Sequence, residues 1–399
     1  MDLHNYSGRL ERALLEIRNS KMPEENKKAI EDFKSYLVIK GLSFARIENY
    51  VQRLRTVALI LNKSFLKTTK EDVVKVLEEI ISNKNWSERY KYDFKISIRT
   101  FFRWLKQTYG HNVEIDWIKA THTKKPVLPE EILTEDEVKK IAEKADNLRD
   151  KAFVLVLYES GCRIGEILPL RIKHVQSVEH GMSLNVNGKT GSRRVLIISS
   201  APALANWLNL HPFKDDPEAF LWLGIGNKNK NQMLRYGAVC DLLKKLAKLA
   251  NVKKRVNPHS FRHARATHLA NCLTEAQMKQ FFGWIQGSDM ASIYVHLSGR
   301  DVDDALLRLN GLSKDEIKRQ DILKVQLCPR CNEKNSPASK FCCKCGSVLD
   351  LRTALEIDEK RRYGDEVISM LAKDPEIQAM IIRKAMNEQD FREKLRRIV

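Results

Sequence analysis

At 399 residues the chain has room for two or three domains, and 70 lysines and arginines against 51 acidic residues leave a formal charge of +19, which directs attention to a polyanionic partner. No run approaches the roughly eighteen apolar residues of a membrane helix, and Met1-Asp2-Leu3-His4 opens no export signal, so a cytoplasmic protein with no membrane partner is expected. Eight cysteines in such a chain, five of them between Cys328 and Cys345, argue for a metal and against disulfides.

Residues 1–22 are polar and show no readable period. Residues 23–120 form the expected first domain, and from Glu24 to Gly110 its pattern is helical throughout. Ile30, Phe33 and Leu37 mark one helix, closed by Gly41. Ile47, Tyr50, Val51, Leu54, Ala58 and Leu61 mark a second, and Val73, Val76, Leu77 and Ile80 a third, opened by a Thr69/Asp72 capping box. Phe94, Ile98, Phe101, Phe102 and Leu105 line a fourth. A compact four-helix unit is expected, with Trp86, Tyr92 and Trp104 in its core. Arg46, Arg53, Arg55, Lys84, Lys91, Lys95, Arg99 and Arg103 fall on the opposite faces, a basic surface that can lie along DNA or be an ordinary solvated face.

Residues 121–133, with two prolines and a lysine pair, read as a linker. Thr134 and Glu137 then cap the first helix of a second domain, 134–312, that is mostly helical with a small sheet. Its apolar stretch Phe153–Tyr158 stops at Gly161 and restarts with Arg163 in the next first turn, where a helix N-terminus favours anions. Residues 183–199 alternate about a glycine-rich turn as a β-hairpin does, with Lys189 at the tip. A helix is expected over 233–251, with Leu242, Leu246 and Leu249 as apolar positions. Pro258 opens another, and the i, i+3 spacing places His259 and Arg262 on one face, two cationic donors suited to a phosphate. Trp284 and Tyr294 follow.

Ser313 and Glu316 are expected to cap a helix over 313–325. Cys328-x-x-Cys331 and Cys342-x-x-Cys345 then supply two tight thiolate pairs, as tetrahedral zinc requires, and resemble a zinc ribbon over 326–348 holding a structural Zn²⁺. Cys343 is a fifth thiol that could stand in for Cys342, although only Cys342 keeps the two-residue spacing to Cys345. The remainder, 349–399, reads as a charged helical tail with apolar positions at Ile368, Leu371, Ile377, Met380, Ile381 and Leu395. It is expected to bind a partner, self-associate, or fold back as a hairpin on its own chain.

The ordered set Arg163, Lys189, His259, Arg262, Trp284 and Tyr294 resembles the tyrosine recombinases, the phage-type or Xer-type integrases. It is carried by G-C-R-I-G-E-I-L-P-L, G-K-T-G, P-H-S-F-R-H-A-R-A-T-H-L, F-G-W and Y-V-H. That resemblance implies a mainly α fold with a small β-sheet. A SAM-like helical core-binding domain precedes an α+β catalytic domain, and a short helix after the tyrosine docks on a neighbouring subunit. It implies site-specific recombination on double-stranded DNA by a dimer or tetramer, through a 3′-phosphotyrosyl intermediate and without metal or ATP in catalysis.

Tyr294 would be the nucleophile, Arg163 and Arg262 would grip the phosphate, and Lys189 would protonate the leaving oxygen. His259 would accept or relay the Tyr294 proton. Trp284 stands where most members have His, and its indole N–H could donate a hydrogen bond but not shuttle a proton. Glu166 would orient a cationic neighbour, whereas His263 and His296 would be structural. The interval from Trp284 to Tyr294 is one residue longer than the family pattern. The alternatives are a zinc-ribbon DNA-binding regulator on a recombinase-like body, which should have lost Arg163, Arg262 or Tyr294, and a type IB-like topoisomerase.

Overall fold

The computed structural model describes residues 5–121, 131–226, 229–297 and 323–388, with the backbone alone for 295–297. Most of the expected linker, the Ser313 cap and its helix up to residue 322, and Leu395 lie outside the described residues. The chain divides into two compact units, Met1–Val127 and Leu128–Val399.

In the first unit, helices α1 (Tyr6–Arg18), α2 (Glu24–Ile39), α3 (Phe44–Leu61), α4 (Lys70–Ser82) and α5 (Glu88–Tyr109) share one apolar core. The N-terminal segment is therefore not featureless. Leu10, Ala13 and Ile17, at spacings of three and four, bury one stripe of α1, with Leu14 packed partly buried beside it and Leu15 left exposed, a narrow amphipathic pattern in a charged stretch. Phe33 and Phe101 meet edge to face at 5.2 Å, and Phe65 reaches Phe101 at 4.8 Å, geometries that aromatic quadrupoles favour.

The Thr69/Asp72 capping box forms as expected. Trp104 is buried and Trp86 stacks on Phe94 at 5.1 Å, but Tyr92 remains half-buried beneath the Arg89 guanidinium, because it faces a groove lined by Arg46, Arg53 and Arg89. Several of the expected DNA-facing cations are committed within the unit: Arg53 pairs with Asp93 at 3.1 Å, Arg55 with Glu16 at 3.2 Å, Lys91 with Glu88 at 2.9 Å and Arg103 with Asp116 at 2.7 Å.

The second unit begins with α6 (Glu135–Glu143), opened by the Thr134/Glu137 capping box. Helix α7 (Leu148–Ser160) is apolar on nearly all sides and runs through the centre of the unit. At its end the buried Glu159 carboxylate accepts the Ile198, Ser199 and Ser200 amides at 2.7–2.9 Å, which ties α7 to the end of the sheet. Next come α8 (Ile164–Ile167) and an antiparallel sheet in the order β1 (Val175–Val178), β2 (Gly181–Gly188), β3 (Gly191–Ile197). Lys189 sits in the β2–β3 turn, with Gly188 opposite Gly191.

Helices α9 (Ala201–Asn209), α10 (Tyr236–Leu249), α11 (Pro258–Ala270), α12 (Glu275–Phe282) and α13 (Met290–Leu297) follow. Helix α10 buries Val239, Leu243, Leu246 and Ala247, so its inward face lies one residue from the expected Leu242, and Leu249 is 51% exposed. A run of adjacent leucines is compatible with two helical registers, and packing selects one of them.

Past the undescribed segment, β4 (Gln326–Leu327) pairs with β5 (Lys334–Asn335), and helices Leu351–Lys373 and Pro375–Asn387 close the described chain. The tail positions Ile368, Leu371 and Met380 are 65%, 49% and 64% exposed.

Candidate active site

Gly161 ends α7 in the left-handed conformation, at φ 56°. This sharp turn delivers Arg163 to the N-cap of α8, a position that glycine reaches without strain. A Cβ at Gly161 would run into the buried Phe282 ring. Gly161→Ala is therefore expected to cost about 2–4 kcal/mol, from left-handed strain plus overpacking, measurable as a lowered midpoint in urea.

One buried carboxylate organises the cations. Glu166, 3% exposed, accepts the Arg163 amide at 2.8 Å and the Arg163 side chain at 3.1 Å. It also accepts both terminal nitrogens of Arg193, from β3, at 3.1 and 2.9 Å. Burial works against the charge on Glu166, but the Arg193 guanidinium and then Arg163 outweigh it and hold the carboxyl below the usual glutamate range.

Arg193 and Arg262 converge on the C-terminus of α12, whose last carbonyls need donors. Arg193 Nε donates to the Phe281 carbonyl at 2.9 Å, and Arg262 donates to the Phe282 carbonyl at 2.9 Å and the Gly161 carbonyl at 2.8 Å. Asn257 caps α11 with Pro258 at its first position, which sets the register that turns Arg262 inward. Burial, with Arg163 nearby, pushes Arg262 down to about 10. Three guanidiniums around one carboxylate leave an excess of positive charge that an anion would relieve.

The Arg262 guanidinium lies over the Trp284 ring at 5.6 Å, and Trp284 in turn stacks on Tyr294 with 5.6 Å between centroids and 2° between planes. The extra residue between Trp284 and Tyr294 therefore does not prevent the two rings from meeting. Tyr294 is 4% exposed, and its hydroxyl hydrogen-bonds His263 Nδ1. Burial pushes the phenol up to about 12, against the pull of Arg262. It also holds His263 below its usual value, with His259 and Arg262 acting in the same direction.

Of the expected residues, Arg163, Arg262, Trp284 and Tyr294 come together as one cluster. His259 is exposed in the first turn of α11, with its ring 6.5 Å from that of His263. Lys189 is exposed at the hairpin tip, which is anchored by Thr190 Oγ1 donating to the Gly283 carbonyl at 3.0 Å, beside Trp284. Glu166 orients cationic neighbours, as its place after Arg163 suggests. Two residues outside the expected catalytic set also join this network: Arg193, for which the hairpin pattern carries no signal, through Glu166, and His263, directly after Arg262, through the Tyr294 hydroxyl. The backbone of His296 lies in α13 beyond Tyr294.

The sulfurs of Cys328, Cys331, Cys342 and Cys345 all lie within 4.8 Å of one another. Cys343 stands apart from them: it is exposed and its amide donates to Asn335 Oδ1 at 2.9 Å.

The Phage integrase family signature matches residues 131–300, ending before the cysteine cluster. The chain is 31% identical over 248 residues to the tyrosine recombinase XerA of Pyrococcus horikoshii, a match covering 61% of this chain and 80% of the relative. It is 27% identical over 286 residues to XerA of Pyrococcus furiosus, covering 70% and 93%. Among solved structures, a lambda integrase dimer bound to a COC′ core site aligns with a TM-score of 0.55 at 16% identity, covering 69% of this chain and 78% of that one. The XerH site-specific recombinase bound to palindromic difH, in a post-cleavage complex, aligns at 0.53 and 16%, covering 77% and 97%, and these two likenesses carry the fold. With the family signature, a relative above 30% identity and a phenol stacked on Trp284 beside the buried Arg262 in agreement, the chain belongs to the tyrosine recombinases, enzymes that break and rejoin DNA.

Proposed function

We propose that this protein recombines double-stranded DNA at specific sites, with Tyr294 attacking a phosphodiester to form a 3′-phosphotyrosyl link and expel a 5′-hydroxyl. The stack of Tyr294 on Trp284 beneath Arg262 is the observation that carries this reading, because it holds a nucleophile beside a guanidinium within one chain. The same contact supports attack by the subunit that also supplies the arginines. Arg163 and Arg262 neutralise the non-bridging oxygens, His259 at the α11 N-terminus adds a further phosphate contact, and Lys189 protonates the leaving oxygen. Trp284 orients the phenol and offers its indole N–H, while Glu166 and Arg193 position Arg163. The broken bond's energy stays in the phosphotyrosine, so rejoining requires neither ATP nor metal.

Double-stranded DNA is the partner, held partly through Arg46 in the groove it shares with Arg89 and Asp93, and a dimer or tetramer assembles on it, as the lambda integrase structures bound to DNA do. No described helix is long and apolar enough to cross a membrane, and the proposed site of action is chromosomal DNA in the cytoplasm. Domain limits of 134–312 and 326–348 are part of the same reading, whereas the first domain takes in α1 from Tyr6 and so begins before the expected residue 23.

The test is to incubate the full-length protein with nicked duplexes of randomised core, denature, and sequence whatever DNA remains attached. Recovery of one core sequence is expected, whereas no attached DNA would reject the function.

Cys328, Cys331, Cys342 and Cys345 fit a structural Zn²⁺. Two cross-pairs of sulfurs stand 3.5 Å apart, close to the roughly 3.8 Å edge of a tetrahedron with Zn–S bonds of about 2.3 Å. Zinc would lock the ribbon, which meets the catalytic body where Lys151 Nζ donates to the Ala338 carbonyl at 3.3 Å. Chelation is expected to raise amide exchange across 326–348 while strand cleavage continues. Loss of cleavage on chelation would instead make the metal part of the reaction.

A further inference from the structure

Resting on the reading of Tyr294 as nucleophile, we propose that His263 takes the phenolic proton as Tyr294 attacks DNA. A phenol does not attack phosphorus efficiently until its proton has somewhere to go. Tyr294 is 4% exposed, so bulk water is a poor acceptor, and the described partner of its hydroxyl is Nδ1 of His263, reached from α13 across to α11. The other groups against the phenol cannot serve. Trp284, stacked on the ring, has only an N–H to donate, and Arg262 is a permanent cation. His259 stands one turn nearer the helix N-terminus, with its ring 6.5 Å from that of His263.

The ring planes of His263 and Tyr294 are tilted by 38° at 5.8 Å between centroids, an arrangement that presents the imidazole edge to the hydroxyl. The Thr267 hydroxyl, donating to the His263 carbonyl at 3.1 Å, braces the same turn of α11. Neutral His263, with its proton on Nε2, offers the Nδ1 lone pair.

The step balances. The Oη–P bond forms, the P–O5′ bond breaks, the Oη proton moves to Nδ1 to give an imidazolium, and the departing 5′ oxygen takes a proton from Lys189. Rejoining returns both protons. The charged and titratable groups acting on His263 are His259 and Arg262 on its own helix and Tyr294 on α13, and the two helix neighbours oppose the imidazolium.

The experiment uses full-length protein and the duplex recovered in the selection above, synthesised with oxygen or with sulfur at the 5′-bridging position. A sulfur leaving group departs as a thiolate and needs no proton. His263→Phe and His263→Asn are expected to slow covalent capture about 10²-fold or more on both duplexes, with gel-shift affinity within about twofold of the parent. His263→Asn keeps an acceptor for the phenol without a usable base, so it carries the test if the Phe variant fails to fold. Capture by His263→Asn within about threefold of the parent overturns the proposal, as does restoration of its rate by sulfur, which would place His263 at the leaving group. Adduct formation by Tyr294→Phe would instead overturn the nucleophile assignment itself.

Discussion

Tyr294→Phe is expected to abolish the covalent DNA adduct altogether while duplex affinity stays within about twofold. The variant loses one oxygen. The phenyl ring can still lie flat on Trp284, and the core formed with Phe282, Met278 and Ala291 keeps its volume. Stability should change by about 1 kcal/mol, the net worth of one hydrogen bond, here the one to His263. A nicked duplex that traps the adduct, resolved on a denaturing gel, separates the two readouts. An undiminished adduct in the variant would mean that another side chain attacks.

The second large effect is expected from Glu166→Gln, a change of one atom far from solvent. The carboxylate is the shared acceptor for Arg163 and Arg193. Its amide counterpart carries no charge and can accept through only one of its two terminal atoms. Removing one partner from a buried ionic cluster costs about 3 kcal/mol, equivalent to a fall of roughly 6–12 °C in the melting temperature of a domain this size.

Acid provides an internal control. The Glu166 carboxyl is held below its ordinary value, so its contribution is complete above the unfolded pKa of about 4.3 and is lost as pH falls through the lowered folded pKa. The gap between parent and variant should therefore close in strong acid, and a constant gap would identify a packing defect. Cleavage should also fall by about 10²-fold, since Arg163 loses the group that orients it.

Much of this molecule could be read from local rules. Capping boxes at Thr69 and Thr134, the glycine stop at Gly161, the hairpin about Lys189 and the proline start at Pro258 each depend on neighbours a few residues away. Helix α1 was missed because three buried positions in a charged stretch leave little periodic signal, and on α10 Leu246 is buried as expected while Leu243 takes the inward place expected of Leu242, because adjacent leucines satisfy two registers.

The types and order of the candidate site residues, and the paired cysteine spacings, were determined by the sequence alone, since covalent order and local turn chemistry suffice to recognise them. Only the tertiary structure decided which histidine meets the phenol. His259 and His263 lie about one turn apart on α11, and the choice depends on where α13 crosses that helix. The same holds for Arg193, whose partners Glu166 and Phe281 lie 27 and 88 positions away. A buried carboxylate needs counter-charges from whichever strands and helices packing brings beside it, and no local pattern specifies that meeting.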